Sequence, residues 1–570
     1  MSTKRILALL LCAVMLFGAM AACAPKAPEV EDTEDVTDTT PTPEQTATGD
    51  FDLAVCIASE PETIDPALNT SVDGAIMVHH FFEGITKWVD DGEGNAILAP
   101  GQAEMTDKTV NDDETVTYTY KMRDGAKWSD GQPVTADDFV YTWQRLATPE
   151  TAADYTYMID MLKGYDEVAS GEADPTTLGI SAPDETTLVI ELSYDCPYFE
   201  EICAFPATFP VRQDVIEAAG DQWTFDPSTY ISNGPYVLNE WVHNSYIKGI
   251  QNENYYEVET LGPDSITFQL MDDANSIYTA FQSGTLQFID EVPTDEVERL
   301  LASDELNIVD YIGTYFTCFQ VEKAPFDDAR VREAFSLVID RNYIVEKVKQ
   351  TGELPASGFV PSGVYDAAGV EGDDFRTVGG EYYSVAAEDY EANCERAREL
   401  LAEAGYPNGE GFPAVEYLYN TNDDHRAIGE ALQDMWKTQL GVEVSLNNQE
   451  WAVFLQSRKV GDYQIARHGW IADYNDPISF LDMWYTDGGN NDAQYSRAEF
   501  DAAIDAAKAT ADPAERMKQM HIAEDLIIGE DHALAPIYFY TQRYMLADDI
   551  EGMYHTPLGY FFFMHTSKAA

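Results

Sequence analysis

The run IARHGWIADYNDPISF, Ile465 to Phe480, reads as a hydrophobic strand entering a turn at Asn475-Asp476-Pro477. Arg467 and His468 stand before Trp470, and Asp473 stands after it. Six residues of strand separate Arg467 from Asp473, a span of about 20 Å. Taken alone, Asp473 is accounted for as a cap on the turn and Arg467 as a surface residue. A cation and a carboxylate on either side of a large ring also fit a binding surface.

Working outward, 570 residues exceed one core and imply three or four domains. Hydrophobic content of 45%, with 12% aromatic residues, supplies large cores. Nine Trp and 33 Tyr fit either an ordinary large interior or a cavity lined with amphipathic rings. Lys and Arg number 33 against 102 Asp and Glu, a net charge of −69. Nucleic acid is excluded as a partner, because phosphate binding needs clustered cations. The acidity otherwise describes a solvated surface.

At the N-terminus, MSTKRILALLLCAVMLFGAMAAC places Lys4 and Arg5 before an apolar run from Ile6 to about Phe17. That run is too short to span a membrane and reads as a signal peptide over residues 1–22. Met20-Ala21-Ala22-Cys23 resembles the bacterial lipobox, which implies a diacylglycerol anchor on Cys23 at a membrane surface. Residues 23–50 are rich in Thr, Pro, Asp and Glu, without apolar periodicity, and read as a disordered acidic tether. The folded body is expected from residue 51 to residue 570, outside the cytoplasm.

Within that body five cysteines remain: Cys56, Cys196, Cys203, Cys318 and Cys394. Five is odd, so one at least is unpaired. Cys196 and Cys203 either bridge a local loop or stand free. No CxxC occurs, no Cys/His cluster has zinc spacing, and no GxSxG, P-loop or HExxH is present. No catalytic residue, metal site or cofactor is expected. His79-His80 reads as structural, since adjacent helical residues point apart, and so does His532.

The elements are mixed. Thr115 to Met122 and Thr186 to Ser193 alternate as strands do. PFDDARVREAFSLVIDRNYIVEKV predicts a helical stretch capped by Asp327 or Asp328, with Val331, Ala334, Phe335, Val338 and Ile339 on one face. CERARELLAEAGYPNG predicts a helix stopped by Gly405 and Pro407. HRAIGEALQDMWKTQLGVEVSLNNQEW predicts a helix and then a strand.

Six stretches occur in order across this body: SEPETIDP (59–66), FFEGI (81–85), MRDGAKWSDGQPVTADDFVYTWQRL (122–146), SNGPYVLNEW (232–241), APFDDARVREAFSLVIDR (324–341) and GWIADYNDPISFLD (469–482). Together they resemble the oligopeptide-binding lipoproteins of ABC importers, within the peptide and nickel class (family 5) of extracellular solute-binding proteins. The resemblance covers essentially all of residues 51–570.

It implies an α/β, periplasmic-binding-protein-like two-lobed clamp with an additional domain, three domains of the class II or cluster C type. Domain I would be discontinuous, 51–82 with 213–316 and 541–570. Domain II would span 83–212 and domain III 317–540. The lobes would close about a hinge over a short peptide held in extended form by strand-like hydrogen bonds. A peptide is a zwitterion, and each buried end needs an opposite charge. The resemblance assigns the peptide's amine to Asp473 and ligand carboxylates to Arg467. It adds Arg458, His425 and Lys349 as further cations, whose staggered places would accept several peptide lengths. Trp470 and Trp451 would be pocket walls, Gly469 and Ile471 would pair through their backbones, and Tyr155 and Val72 match further contact positions. Ile471 stands where some relatives have a cysteine.

The expected partners are therefore short peptides, ABC permease and ATPase subunits, and a membrane surface through the lipid. The expected state is a monomer on the outer face of the cell membrane or in the periplasm. Two other classes remain at this point. The same clamp would hold a dipeptide, a murein peptide, a nickel chelate, an oligosaccharide or a signalling peptide. An extracellular peptidase or glycosidase would need a metal or nucleophile motif.

Overall fold

The computed structural model describes residues 51–569 except 59, 114 and 370–371. The signal peptide, Cys23 and the acidic tether lie outside the described residues.

Strand β1 (Asp52–Ala58) leads to helix α1 (Val72–Phe81). Next comes a four-stranded sheet of β2 (Ala103–Val110), β3 (Val116–Met122), β4 (Ile180–Asp184) and β5 (Thr187–Leu192), in the order β2-β3-β5-β4. The alternation predicted for β3 and β5 is present. Val116, Tyr118, Tyr120 and Met122 are buried, as are Leu188, Ile190 and Leu192. Their intervening neighbours face outward, because successive strand side chains point to opposite faces.

Helix α2 (Ala136–Ala147) crosses this sheet. The Asp138 carboxylate accepts the Thr135 backbone N–H at 2.8 Å and the Trp128 indole N–H at 3.2 Å. The KWSDGQPVTADDF block thus closes a helix start and seats the fully buried Trp128. It builds a core and lies outside the cavity described below.

The second sheet has eleven strands. The chain continues through β6 (Tyr236–Val242), β7 (Tyr246–Gln251), β8 (Ser265–Leu270), β9 (Phe288–Ile289) and the 13-residue β10 (Asn307–Phe319). Helix α3 (Ala329–Leu337) follows, capped by Asp328, which accepts the Arg330 N–H at 2.9 Å. Its predicted face of Val331, Ala334, Phe335, Val338 and Ile339 is buried. The predicted helical stretch is interrupted after Leu337 and resumes as a second helical segment over Arg341–Lys349, whose latter part is π-helical.

Then come β11 (Leu354–Pro355), α4 (Tyr390–Glu403), β12 (Val415–Asn420), α5 (Asp423–Met435), β13 (Val444–Gln449), α6 (Trp451–Lys459), β14 (Ile465–Ile471), α7 (Ala498–Lys508), α8 (Pro513–Glu524) and the 13-residue β15 (Leu534–Leu546). The sheet order is β13-β12-β14-β10-β15-β9-β1-β8-β7-β6, with β11 beside β15.

Two long antiparallel strands, β10 and β15, therefore join two lobes of mixed α/β structure. Their pairing shifts register between Asp310 and Thr314 and again between Tyr315 and Phe316. Such irregularities bend a ladder locally.

Cys196 and Cys203 carry free, buried thiols, so the local bridge does not form. His79 and His80 are buried, and His80 accepts the Phe563 N–H at 3.1 Å, a structural role. His532 lies 3.5 Å from Glu333. Among the described residues, no helix is long and apolar enough to cross a membrane, and no group of three His, Cys, Asp or Glu could hold a metal ion.

Candidate functional site

Strand β14 pairs with β10 along its whole length, from Ile465 opposite Phe319 to Ile471 opposite Gly313. Its other edge meets β12 only at Ile465 and Ala466. Beyond Ala466 the β12 side of β14 carries no strand, and that stretch borders a cavity of about 410 Å³ between the lobes. Gly469 has no room for a side chain, since a Cβ there would collide with the Tyr540 hydroxyl. Its N–H donates to His468 Nδ1 at 2.8 Å, so this amide has a partner within its own strand.

All eleven residues singled out in the sequence line this one cavity: Val72, Tyr155, Lys349, His425, Trp451, Arg458, Arg467, Gly469, Trp470, Ile471 and Asp473. Val72 is the first residue of α1 and Trp451 the first of α6. Tyr155 arrives from the loop after α2, and Lys349 ends the helical segment that follows α3.

Past β14, the turn is held by Asp476, not by Asp473. Asp476 accepts the Ile478 N–H at 3.0 Å and is gripped by Arg516 of α8 at 2.6 and 2.8 Å. Asp473 is thereby released from a capping role. Its carboxylate accepts the Tyr155 hydroxyl at 3.2 Å and the Ser479 hydroxyl at 3.4 Å. It has no cation within ion-pair distance among the described residues. Burial pushes its carboxyl up to about 8, and the two hydroxyls only partly offset this.

Arg467 is the complement. No ion pair involves it among the described residues, and its buried Nε has no hydrogen-bond partner. Its guanidinium sits over rings instead, 5.6 Å from Tyr315, 5.7 Å from Trp451 and 5.9 Å from Phe454. Rings stabilise a cation modestly, and the Tyr540 hydroxyl is a hydrogen-bond neighbour, but no carboxylate meets the guanidinium.

The other three residues expected to be cations have neighbours of their own, and for His425 these remove the charge. Lys349 is already paired with Asp424, and with Glu353 at 3.7 Å. Asp424 also binds Arg543 at 3.0 Å. Burial alone would raise the Asp424 carboxyl, but the two cations outweigh burial and hold it well below the usual range. Arg458 lies 2.9 Å from Asp492, which in turn meets His468 at 3.1 Å. His425 is neutral, since burial, reinforced by the Arg467 charge, lowers it well below 6.5. It is a hydrogen-bonding group beside the Tyr315 hydroxyl, at 3.4 Å, and not a cation.

Sequence reasoning missed Asp424, Asp492, Glu353, Arg543 and Tyr540. They reach the cavity from separate elements, and nothing local distinguishes them. The result is a set of ion pairs around two groups of opposite kind that lack an ionic partner, Arg467 within β14 and the Asp473 carboxyl two residues past its end.

The family model for bacterial extracellular solute-binding proteins, family 5 (middle) matches residues 98–492. The chain is 33% identical over 515 residues to the dipeptide-binding protein DppE of Bacillus subtilis, covering 90% of this chain and 91% of the relative. It is 34% identical over 499 residues to the periplasmic oligopeptide-binding protein OppA of Salmonella typhimurium, covering 87% and 88%. The murein tripeptide binding protein MppA of Escherichia coli superposes with a TM-score of 0.82 at 31% identity, over 91% of this chain and 99% of the other. A structure of MppA in its unliganded open form superposes at only 0.59, over 91% and 97% at the same identity. The two lobes here are thus not in that open arrangement.

Proposed function

The chain belongs to the bacterial extracellular solute-binding proteins of family 5, and from that premise we propose that it captures short peptides between its lobes and delivers them to an ABC permease. The observation that carries this reading is the unmatched pair, Asp473 and Arg467. Every other cation of the cavity is engaged by a carboxylate. A zwitterion supplies what each lacks: an ammonium for Asp473 and a carboxylate for Arg467. Burying either end without its counter-charge costs several kcal/mol per ion, so a peptide with both ends free fits and a neutral sugar does not.

Between its ends the peptide runs along the free edge of β14, adding a strand through main-chain hydrogen bonds. Trp470, Trp451 and Tyr155 wall its side chains. No chemical step is involved: the protein binds and releases. The relatives named for dipeptides, oligopeptides and a murein tripeptide support a peptide ligand while leaving its length open. Lipid on Cys23 would hold the protein at the outer membrane face as a monomer. Domains I, II and III take the boundaries given above, and β10 and β15 cross those at 316 and 540.

Native mass spectrometry of the protein purified without denaturation tests the reading. A ladder of adducts that sequences as mixed short peptides is the expected result. A single sugar or metal-chelate mass overturns the peptide ligand. Calorimetry with one bound sequence then compares its acetylated and amidated forms. Each loses a terminal charge and should weaken by about tenfold to a hundredfold, the worth of a hydrogen bond to a charged group.

A further inference from the structure

The charges of the cavity do not balance against a bare peptide backbone. After the ion pairs of Lys349, Arg458 and Arg543 are set aside, Arg467 is the one cation of the described lining without a carboxylate. Among the described lining, four carboxylates remain without a cation: Asp473, Asp73, Asp290 and the solvent-exposed Asp272. A peptide's amine matches Asp473 and its carboxylate matches Arg467. Of the other three, Asp73 and Asp290 are the two shielded from full exposure.

These two acids come from different elements. Asp73 lies in the first turn of α1, and Asp290 directly follows β9. Both line the cavity, on the lobe opposite β14, and both are only partly exposed. The Asp73 Oδ2 is buried with no hydrogen-bond partner. Asp290 makes no side-chain ion pair among the described residues. The cation that acts on it, Arg543, is held by Glu291 at 2.7 Å and by Asp424 at 3.0 Å. Burial raises both carboxyls, and the Glu291 charge, followed by that of Asp73, works further against Asp290 ionising. Two partly buried acids that line one cavity without a counter-ion are an arrangement that an arriving cation relieves.

Resting on the peptide reading, we propose that Asp73 and Asp290 form a subsite for a cationic ligand side chain of lysine or arginine type. The protein then selects basic peptides through this wall while Asp473 and Arg467 hold the two ends. Arginine would engage both carboxylates through its fork, and lysine would sit between them as a point charge.

Calorimetry with unblocked alanine peptides of two to eight residues first finds the length that binds. In that peptide each position is then replaced in turn by lysine and by norleucine, which matches the lysine stem without its charge. At one position lysine should bind roughly tenfold or more tighter than norleucine, as expected for a charge-assisted hydrogen bond. Asp290→Asn and Asp73→Asn, each checked by thermal melting, should each reduce that ratio towards one. Equal binding of lysine and norleucine at every position of the unaltered protein overturns the subsite, whether or not the variants fold. So does a ratio that survives both substitutions. If no alanine peptide of any length binds, the peptide reading itself fails and the subsite with it.

Discussion

Asp473 has two hydroxyl donors and no cation, and its surroundings explain its proton. The rings of Tyr155, Tyr157, Tyr474 and Tyr560 feel its charge, and all are neutral phenols. Its carboxyl is raised from 3.8 to about 8, with burial the largest cause. In the folded protein it therefore keeps its proton where the unfolded chain has lost it. This contribution to stability falls as pH rises from 3.8 to about 8, and is unaffected below that window. An ammonium group reverses the preference, so a peptide that docks there expels the proton. Peptide affinity should rise by up to about tenfold per pH unit between about pH 5 and 7, then fall as the peptide's own amine deprotonates near 8. Calorimetry in two buffers of different ionisation enthalpy reads the released proton directly. Asp473→Asn should bind more weakly and release none, and a variant that still releases a full proton would assign the group elsewhere. Asp473 and Arg467 were legible because one continuous stretch carries both, on a strand that enters a turn. Asp73 and Asp290 were not, because among 102 acids no single one stands out, and Arg543 reaches the cavity only after the chain has returned across the molecule. The charge on His425 was illegible for another reason, since burial sets it and sequence does not show burial.

At the level of elements, periodicity carried most of what was foreseen. The alternation of β3 and β5, the apolar face of α3 and the Gly405 stop after α4 follow from residue spacing, and Gly405 has the positive φ of +100° such a stop uses. What periodicity left out was adjacency: which edge of β14 would be free, and that Tyr540 of β15 would lie against it. Gly469 shows the consequence. A methyl group there meets the Tyr540 hydroxyl, the end of a ring that has the Tyr315 and Tyr538 rings packed around it. Gly469→Ala should push Tyr540 into the cavity and weaken peptide binding by about 1–3 kcal/mol, the range for overpacking. Removing the obstructing atom should relieve it. The double variant Gly469→Ala, Tyr540→Phe should bind more tightly than Gly469→Ala alone, measured by calorimetry with one peptide. If the second change brings no recovery, the collision is not the cause of the loss.

For the whole molecule, the question is what holds the lobes in their present arrangement. Lys508 of α7 pairs with Asp160 from the loop after α2 and with Asp482 at 2.8 Å, all three largely shielded from solvent. Lys459 of α6 meets Asp154 at 2.6 Å, and the Tyr198 and Tyr474 rings stack at 4.2 Å. These contacts join residues 83–212 to residues 317–540, and each would be lost if those segments moved apart on opening. Lys508 stands between two largely shielded acids that would otherwise face each other. Burial already raises the Asp482 carboxyl to about 6 with the lysine present. Lys508→Met would leave Asp160 and Asp482 opposed, at a cost of about 3–5 kcal/mol to the closed arrangement alone. The bend to the open form would fall at the register shifts of β10 and β15. Small-angle X-ray scattering should then show a larger radius of gyration for Lys508→Met before peptide is added, and a contraction when peptide saturates it. Apparent affinity should fall in step with the closed fraction, because peptide must supply the free energy of closure that Lys508 no longer provides. A variant that scatters and binds as the unaltered protein does would show that closure rests on the ligand and not on this contact.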